Sequence, residues 1–213
     1  MPGNNSMTRR NRYRTLVLLL TLVATATCAA QTDSTTSTFT IPDRNTSRLL
    51  VTPTARPLKA GQGYVALSEL FFPIVVVGAT DWLSAGGGIS LIPTTDRQIV
   101  YGTAKITPYR ADKVAVAAGL LYIVGTGDII DEPILLPFVV TTFGSDDHAM
   151  TLGFGRWISR DSIDEDLALS IGAETRVSNN VKLLGESWIP TFDRPAYILA
   201  GVRFFGKRVS ADL

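Results

Sequence analysis

The segment Leu167–Ile189, LALSIGAETRVSNNVKLLGESWI, constrains the fold more than any other part of this chain. Leu167, Leu169, Ile171, Ala173 and Val177 recur at every second position, with Thr175 as the one mild interruption. Ser170, Glu174, Arg176 and Ser178 occupy alternate positions between them. Successive side chains of a β-strand point to opposite sides, so a period of two marks a strand with one apolar and one polar face. Ser178-Asn179-Asn180 then supplies a tight turn, because asparagine tolerates the left-handed backbone that short hairpin loops need. The return strand carries Lys182, Glu186 and Trp188 on one side. Charges on one face, apolar groups on the other and an aromatic near the end form the pattern of a transmembrane β-hairpin.

The same unit recurs from Gly63 onward. Leu83, Ala85, Gly87, Ile89 and Leu91 alternate with Ser84, Gly86, Gly88 and Ser90. Glycines inside a strand predict sharp bending or a close neighbour there. Val100 to Thr107 alternates likewise, and Val114, Val116, Ala118, Leu120, Tyr122 and Val124 share one face of the next segment. Further strands are expected at Tyr64–Leu70, Ile74–Thr80, Leu135–Phe143, Met150–Ile158 and Ala196–Phe205, with a short one from Val209. The connections fall into two sets. Asp81, Arg110–Asp112, Ser145–Asp147, Ser178–Asn180 and Gly206–Arg208 are tight turns. Pro93–Arg97, Gly125–Pro133, Ser159–Asp166 and Thr191–Pro195 are mostly longer loops. Tight and long connections take turns along the chain, as in an up-and-down outer-membrane barrel with short periplasmic turns and longer outer loops. The expected fold is therefore all-β: an up-and-down antiparallel transmembrane β-barrel of about ten to twelve strands. Trp82, Tyr109, Phe143, Trp157, Trp188 and Phe192 lie at strand ends, where interfacial aromatic girdles sit.

Residues 1–30 have the pattern of a secretory signal peptide. Arg9, Arg10, Arg12 and Arg14 precede a short apolar run, Leu16–Ala26, and small residues at Cys28-Ala29-Ala30 offer a cleavage site. That run falls short of the ~20 residues a membrane-spanning helix needs. Residues 31–62 form a flexible periplasmic lead-in, of which Gln31–Thr40 is rich in Ser and Thr, and 63–213 the barrel. Cys28 is the single cysteine, which excludes an internal disulfide and any CxxC or zinc knuckle. The chain holds 20 basic and 19 acidic residues; without the four leader arginines, 16 basic residues face 19 acidic, a net of −3. That balance is no footprint for nucleic acid. The expected surroundings are outer-membrane lipid, and no transported or bound solute is indicated.

The fragments NTSRLL, PTARPLKAGQGY, ELFFP, GATD and GGGISLIP between Asn45 and Pro93, with NNVKLLGESW and GVRFFGKR near the end, resemble a family of uncharacterised bacterial outer-membrane β-barrel proteins. The resemblance spans most of the chain after Asn45 and implies a barrel, without implying a ligand. It also implies an aromatic final residue, from which Ala211-Asp212-Leu213 departs.

With the apolar faces turned to lipid, the inward faces hold Glu69, Lys105, Glu174, Arg176, Lys182, Glu186 and Arg203. Mixed charges on one inner wall can pair and so escape the large cost of burying lone ions. They suit a pore lining or ligand site, but a salt-bridged plug in a narrow barrel accounts for them more simply. The turn at Asn179 places Arg176 beside Lys182. Like charges directly opposed are unfavourable, so each should seek an acid: Glu174, Glu186 or a residue across the barrel. Arg203 is the expected partner for Glu186. Leu169, Ile171 and Val181 then face lipid.

No catalytic set is expected. His148 is the sole histidine, beside a turn, and no GxSxG elbow supplies a nucleophile. Asp161, Asp164, Glu165 and Asp166 lack EF-hand spacing and read as a solvated loop, while Gly125–Gly127 lacks the lysine of a phosphate loop. No metal or cofactor is expected. The expected function is a non-enzymatic outer-membrane barrel, structural or weakly pore-forming. The alternatives are a soluble lipocalin-like binding barrel in the periplasm, with the apolar face inside, and a lipid-modifying barrel enzyme.

Overall fold

Each expected run of alternation forms a strand. The structure is a computed structural model and describes residues 39–68, 72–91, 93, 97–126, 130, 132–159, 167–189, 196–206 and 209–213. The expected Glu69, Phe192 and the acidic positions 161–166 lie outside the described residues, as does the leader. One compact unit, Thr40–Leu213, contains all the strands. They are β1 (Gly63–Ser68), β2 (Phe72–Gly78), β3 (Leu83–Ile89), β4 (Ile99–Ala111), β5 (Val114–Gly125), β6 (Ile134–Gly144), β7 (His148–Arg156), β8 (Leu167–Ser178), β9 (Val181–Ile189), β10 (Tyr197–Phe205) and β11 (Ser210–Asp212). They form one 11-stranded sheet in which every strand pairs with its sequence neighbours. All these pairings are antiparallel. The β4–β5 turn lies at Asp112-Lys113, slightly later than expected, because Arg110↔Ala115 and Ala111↔Val114 extend the ladder.

The closed ring expected of a barrel is not present among the described residues. Strand order runs from β1 to β11 with no pairing between the two ends. β11 pairs with β10 alone: its three residues cover the Arg203–Phe205 end of β10, with Val202 and Leu213 adding one further exchange.

The sheet is nevertheless strongly curled. Arg203 on β10 donates to Asn45 O at 2.7 Å, and Lys105 on β4 donates to Ser47 O at 3.3 Å. Asn45 and Ser47 are two residues apart, at most about 7 Å. In a flat sheet β4 and β10 would stand six strand spacings apart, on the order of 29 Å. The wall therefore wraps around the segment 41–58.

That segment has the composition of a lead-in, yet it packs against the inner wall. Leu49, Thr52, Thr54, Ala55, Arg56 and Leu58 are buried, and Ala55 clusters with Ala115, Ala117 and Val140. Wall glycines make room for it. A Cβ on Gly172 would overlap Leu49 Cδ1, and one on Gly201 would come within 2.8 Å of Leu50 Cδ2. Gly172→Val should therefore cost about 1–3 kcal/mol through overpacking. It should speed tryptic cleavage at Arg48, which Leu49 follows, and Leu49→Ala in the same chain should restore part of the resistance. Gly88 has the close neighbour expected of strand glycines: the Tyr101 ring lies over it, 2.8 Å from where a Cβ would sit.

The two faces separate as period two requires. Inward positions include Lys105, Thr142, Thr151, Glu174, Arg176, Lys182 and Arg203, all buried. Outward positions include Val65, Val77, Ile106, Leu120, Val139, Leu152, Val177 and Leu183, all exposed and all apolar. Leu169, Ile171 and Val181 lie on that outward face, half-buried. Trp82, Tyr109 and Phe143 are exposed near the tight-turn end. Trp188 departs from the girdle expected of it. It shares the inward phase of Lys182 and Glu186 and lines an internal cavity, because a one-residue step in a strand changes face. No helix among the described residues is long and apolar enough to cross a membrane.

Candidate functional site

Six of the seven expected inward charges are described, and all six are buried: Lys105, Glu174, Arg176, Lys182, Glu186 and Arg203. The hairpin register is the one the turn implied, with Arg176 directly opposite Lys182. Their repulsion is relieved by acids, some of them from outside the hairpin. Lys182 Nζ donates to Asp43 Oδ2 at 2.7 Å, Glu174 Oε2 at 3.1 Å and Asp146 O at 2.7 Å. An ammonium has three donors, so this one is fully used. Arg176 pairs with Asp147 at 2.9 Å and stacks 4.8 Å above the Phe205 ring. It also donates to the carbonyls of Ile41, Ser178 and Asn179.

Arg203 is fully buried and equally well satisfied. Its Nε and NH2 fork onto the two carboxylate oxygens of Asp212, at 2.7 and 2.9 Å. The remaining N–H groups meet the carbonyls of Asn45, Arg48 and Leu49. The expected Glu186–Arg203 pair is not formed. Glu186 instead accepts the backbone N–H groups of Val51 and Thr52, at 2.9 and 3.1 Å, and holds the bend of the inner segment. Lys105 Nζ meets three carbonyls, Ser47, Thr54 and Arg56, and no carboxylate among the described residues. Most of the wall charges therefore grip the backbone of one threaded segment rather than one another.

Besides Asp147 and Asp212, two side chains of the inner segment join the network unforeseen. Arg56 bonds Glu174 Oε1 and the Ser145 carbonyl, and its Nε lies 3.3 Å from Asp146. Asp43 binds Lys182 and lies 3.8 Å from Arg203. A signal for Asp43 existed: the described inward wall carries four bases against two acids, an excess that other acids must neutralise.

Burial alone would raise the Asp43 pKa, but the neighbouring Lys182 and Arg203 outweigh it and hold the carboxyl below its usual 3.8. A depressed folded-state pKa contributes stability that is fully present above the ordinary value and is lost as pH falls through the lower one. Peptic access to 41–58 should therefore rise only below about pH 4, and Asp43→Asn should remove Asp43's share of that acid dependence.

His148 is exposed, and its Nδ1 lies 2.7 Å from Thr175 Oγ1, with no nucleophile arrangement around it. Among the described residues no cluster of three or more His, Cys, Asp or Glu could hold a metal. The geometry suits immobilising a segment. Compared with known proteins, the chain matches no family model, no curated protein and no solved structure.

Proposed function

We propose that this chain is a non-enzymatic outer-membrane β-barrel protein, exported by its leader, whose lumen is filled over much of its length by residues 41–58. The observation that carries the reading is the continuous outward face of exposed aliphatic and aromatic side chains, from Val65 on β1 to Phe204 on β10. Soluble chains rarely expose apolar patches beyond a few hundred Å², whereas a lipid-facing barrel wall requires such a band. The buried, paired charges on the opposite face fit the same reading. A lipocalin-like barrel places its polar face outward, the reverse of this arrangement. The internal segment makes the role structural or weakly conducting rather than that of an open pore.

The test uses single cysteines in a Cys28→Ser background, expressed in a bacterium with an outer membrane. Leu152→Cys and Leu183→Cys should react with a lipid-soluble maleimide in intact membranes and resist a sulfonated one. A mature chain recovered in the soluble periplasmic fraction, with both positions open to the sulfonated reagent, would overturn the proposal.

A further inference from the structure

The inner wall changes character along the same strands. On β6 the inward residues run from Leu136, Phe138 and Val140 to Thr142 at the tight-turn end. On β8 they run from Ala168 and Ser170 to Glu174 and Arg176, and on β9 from Trp188 to Glu186 and Lys182. The apolar half, together with the inner faces of β1 and β2, lines a partly open cavity of about 380 Å³. That size falls within the ~300–1,000 Å³ range of ligand pockets.

We propose that this cavity is a binding site for a single hydrocarbon chain. Three observations carry it. First, Phe72, Ile74, Leu136, Phe138, Val140 and Trp188 supply an almost wholly apolar lining, although the lumen of a membrane barrel is ordinarily polar. Second, the space is made by small inward residues: Gly153 and Gly155 on β7, and Ala168 and Ser170 on β8, all line it. A Cβ on Gly155 would come within 2.9 Å of Leu136 Cδ1.

Third, the charged groups at its border are already engaged. All three donors of Lys105 meet carbonyls, and Arg48 pairs with Asp212 at 2.9 Å. The bend at Leu50–Pro53 forms part of the lining, and Glu186 holds it from behind through Val51 and Thr52. A preformed, predominantly apolar chamber whose bordering charges are already paired selects against ions and suits an uncharged chain, although Arg48 Nε, Thr52 Oγ1 and Trp188 Nε1 on its lining residues are buried without a hydrogen-bond partner among the described residues. The inference stands on the interior geometry and goes beyond the membrane reading.

A chain could arrive free or as part of a bilayer phospholipid, and tryptophan quenching separates the two. The full mature chain with Trp82→Phe and Trp157→Phe keeps Trp188 as its single tryptophan. It is reconstituted in dioleoylphosphatidylcholine vesicles, or kept in buffer should fractionation show a soluble protein. Bromododecane is titrated in one arm; in the other the vesicles contain phosphatidylcholine brominated on its acyl chains. Saturable quenching of Trp188 in the first arm identifies a free chain, and quenching confined to the second identifies a lipid chain. In Ala168→Phe, which fills the cavity, the quenching midpoint should shift by about tenfold or more. Ser170→Leu is the second filled variant, should the first not fold by the heat-shifted gel mobility of a β-barrel. Quenching that is absent in both arms, or unchanged in the filled variant, would overturn the proposal.

Discussion

Replacing Lys182 with methionine is expected to destabilise the protein by about 3–5 kcal/mol, the cost of leaving buried charges without their partner. Lys182 is fully buried and is the shared counterion of Asp43 on the inner segment and Glu174 on β8. Without it, among the described residues Glu174 keeps Arg56 as its ion-pair partner, and Asp43 keeps the Asn45 backbone N–H at 2.8 Å and the more distant Arg203 at 3.8 Å. Methionine fills a similar volume, so the loss is electrostatic rather than a cavity effect. The change should appear as a lower unfolding temperature and faster proteolysis of 41–58. It should also raise the single-channel conductance in planar bilayers as the segment loosens. Lys182→Met combined with Asp43→Asn and Glu174→Gln should recover much of the stability, since no lone ion is then left buried. Sites in one network are not additive, and that recovery separates a charge network from simple packing. A triple variant no more stable than the single one would show that the acids are not held by Lys182.

The second large effect lies on the opposite face. Leu152 is midway along β7 and 40 % exposed, and Val139 on β6 is 48 % exposed. An arginine at either position should cost about 2–4 kcal/mol if the middle of the strand meets hydrocarbon. The double variant should cost roughly the sum, enough to prevent assembly of a marginal barrel. Arginine at Trp82 or Tyr109, at the tight-turn end, should cost only about 0–1 kcal/mol, because the penalty fades toward the interface. Guanidine unfolding of chain folded into vesicles measures all four. A soluble barrel would show the opposite trend, with outward arginines neutral and the protein more soluble. Equal, small costs at Leu152 and Trp82 would therefore remove the lipid-facing interpretation.

The hairpin Leu167–Ile189 was legible because its information is local. Period two assigns faces, Asn179-Asn180 sets the turn, and together they dictate that Arg176 opposes Lys182. The same local rules yield the strand order, since tight turns leave consecutive strands no choice but to pair. The segment 41–58 was not legible. It has no period, and its place is determined by side chains more than 100 residues away, such as Glu186 on Val51 and Arg203 on Asn45. Its role depends on backbone carbonyls, which every residue carries and which leave no trace in a sequence. The partner of Glu186 was misread for the same reason.

The apolar cavity depends on Gly153, Gly155, Ala168 and Ser170 meeting across two strands, a matter of stagger and curl. The sequence by itself determined the strands, their two faces and their neighbours, because these follow from steric alternation and turn chemistry. Only the tertiary structure decided what fills the interior, because that depends on contacts between residues remote in the chain.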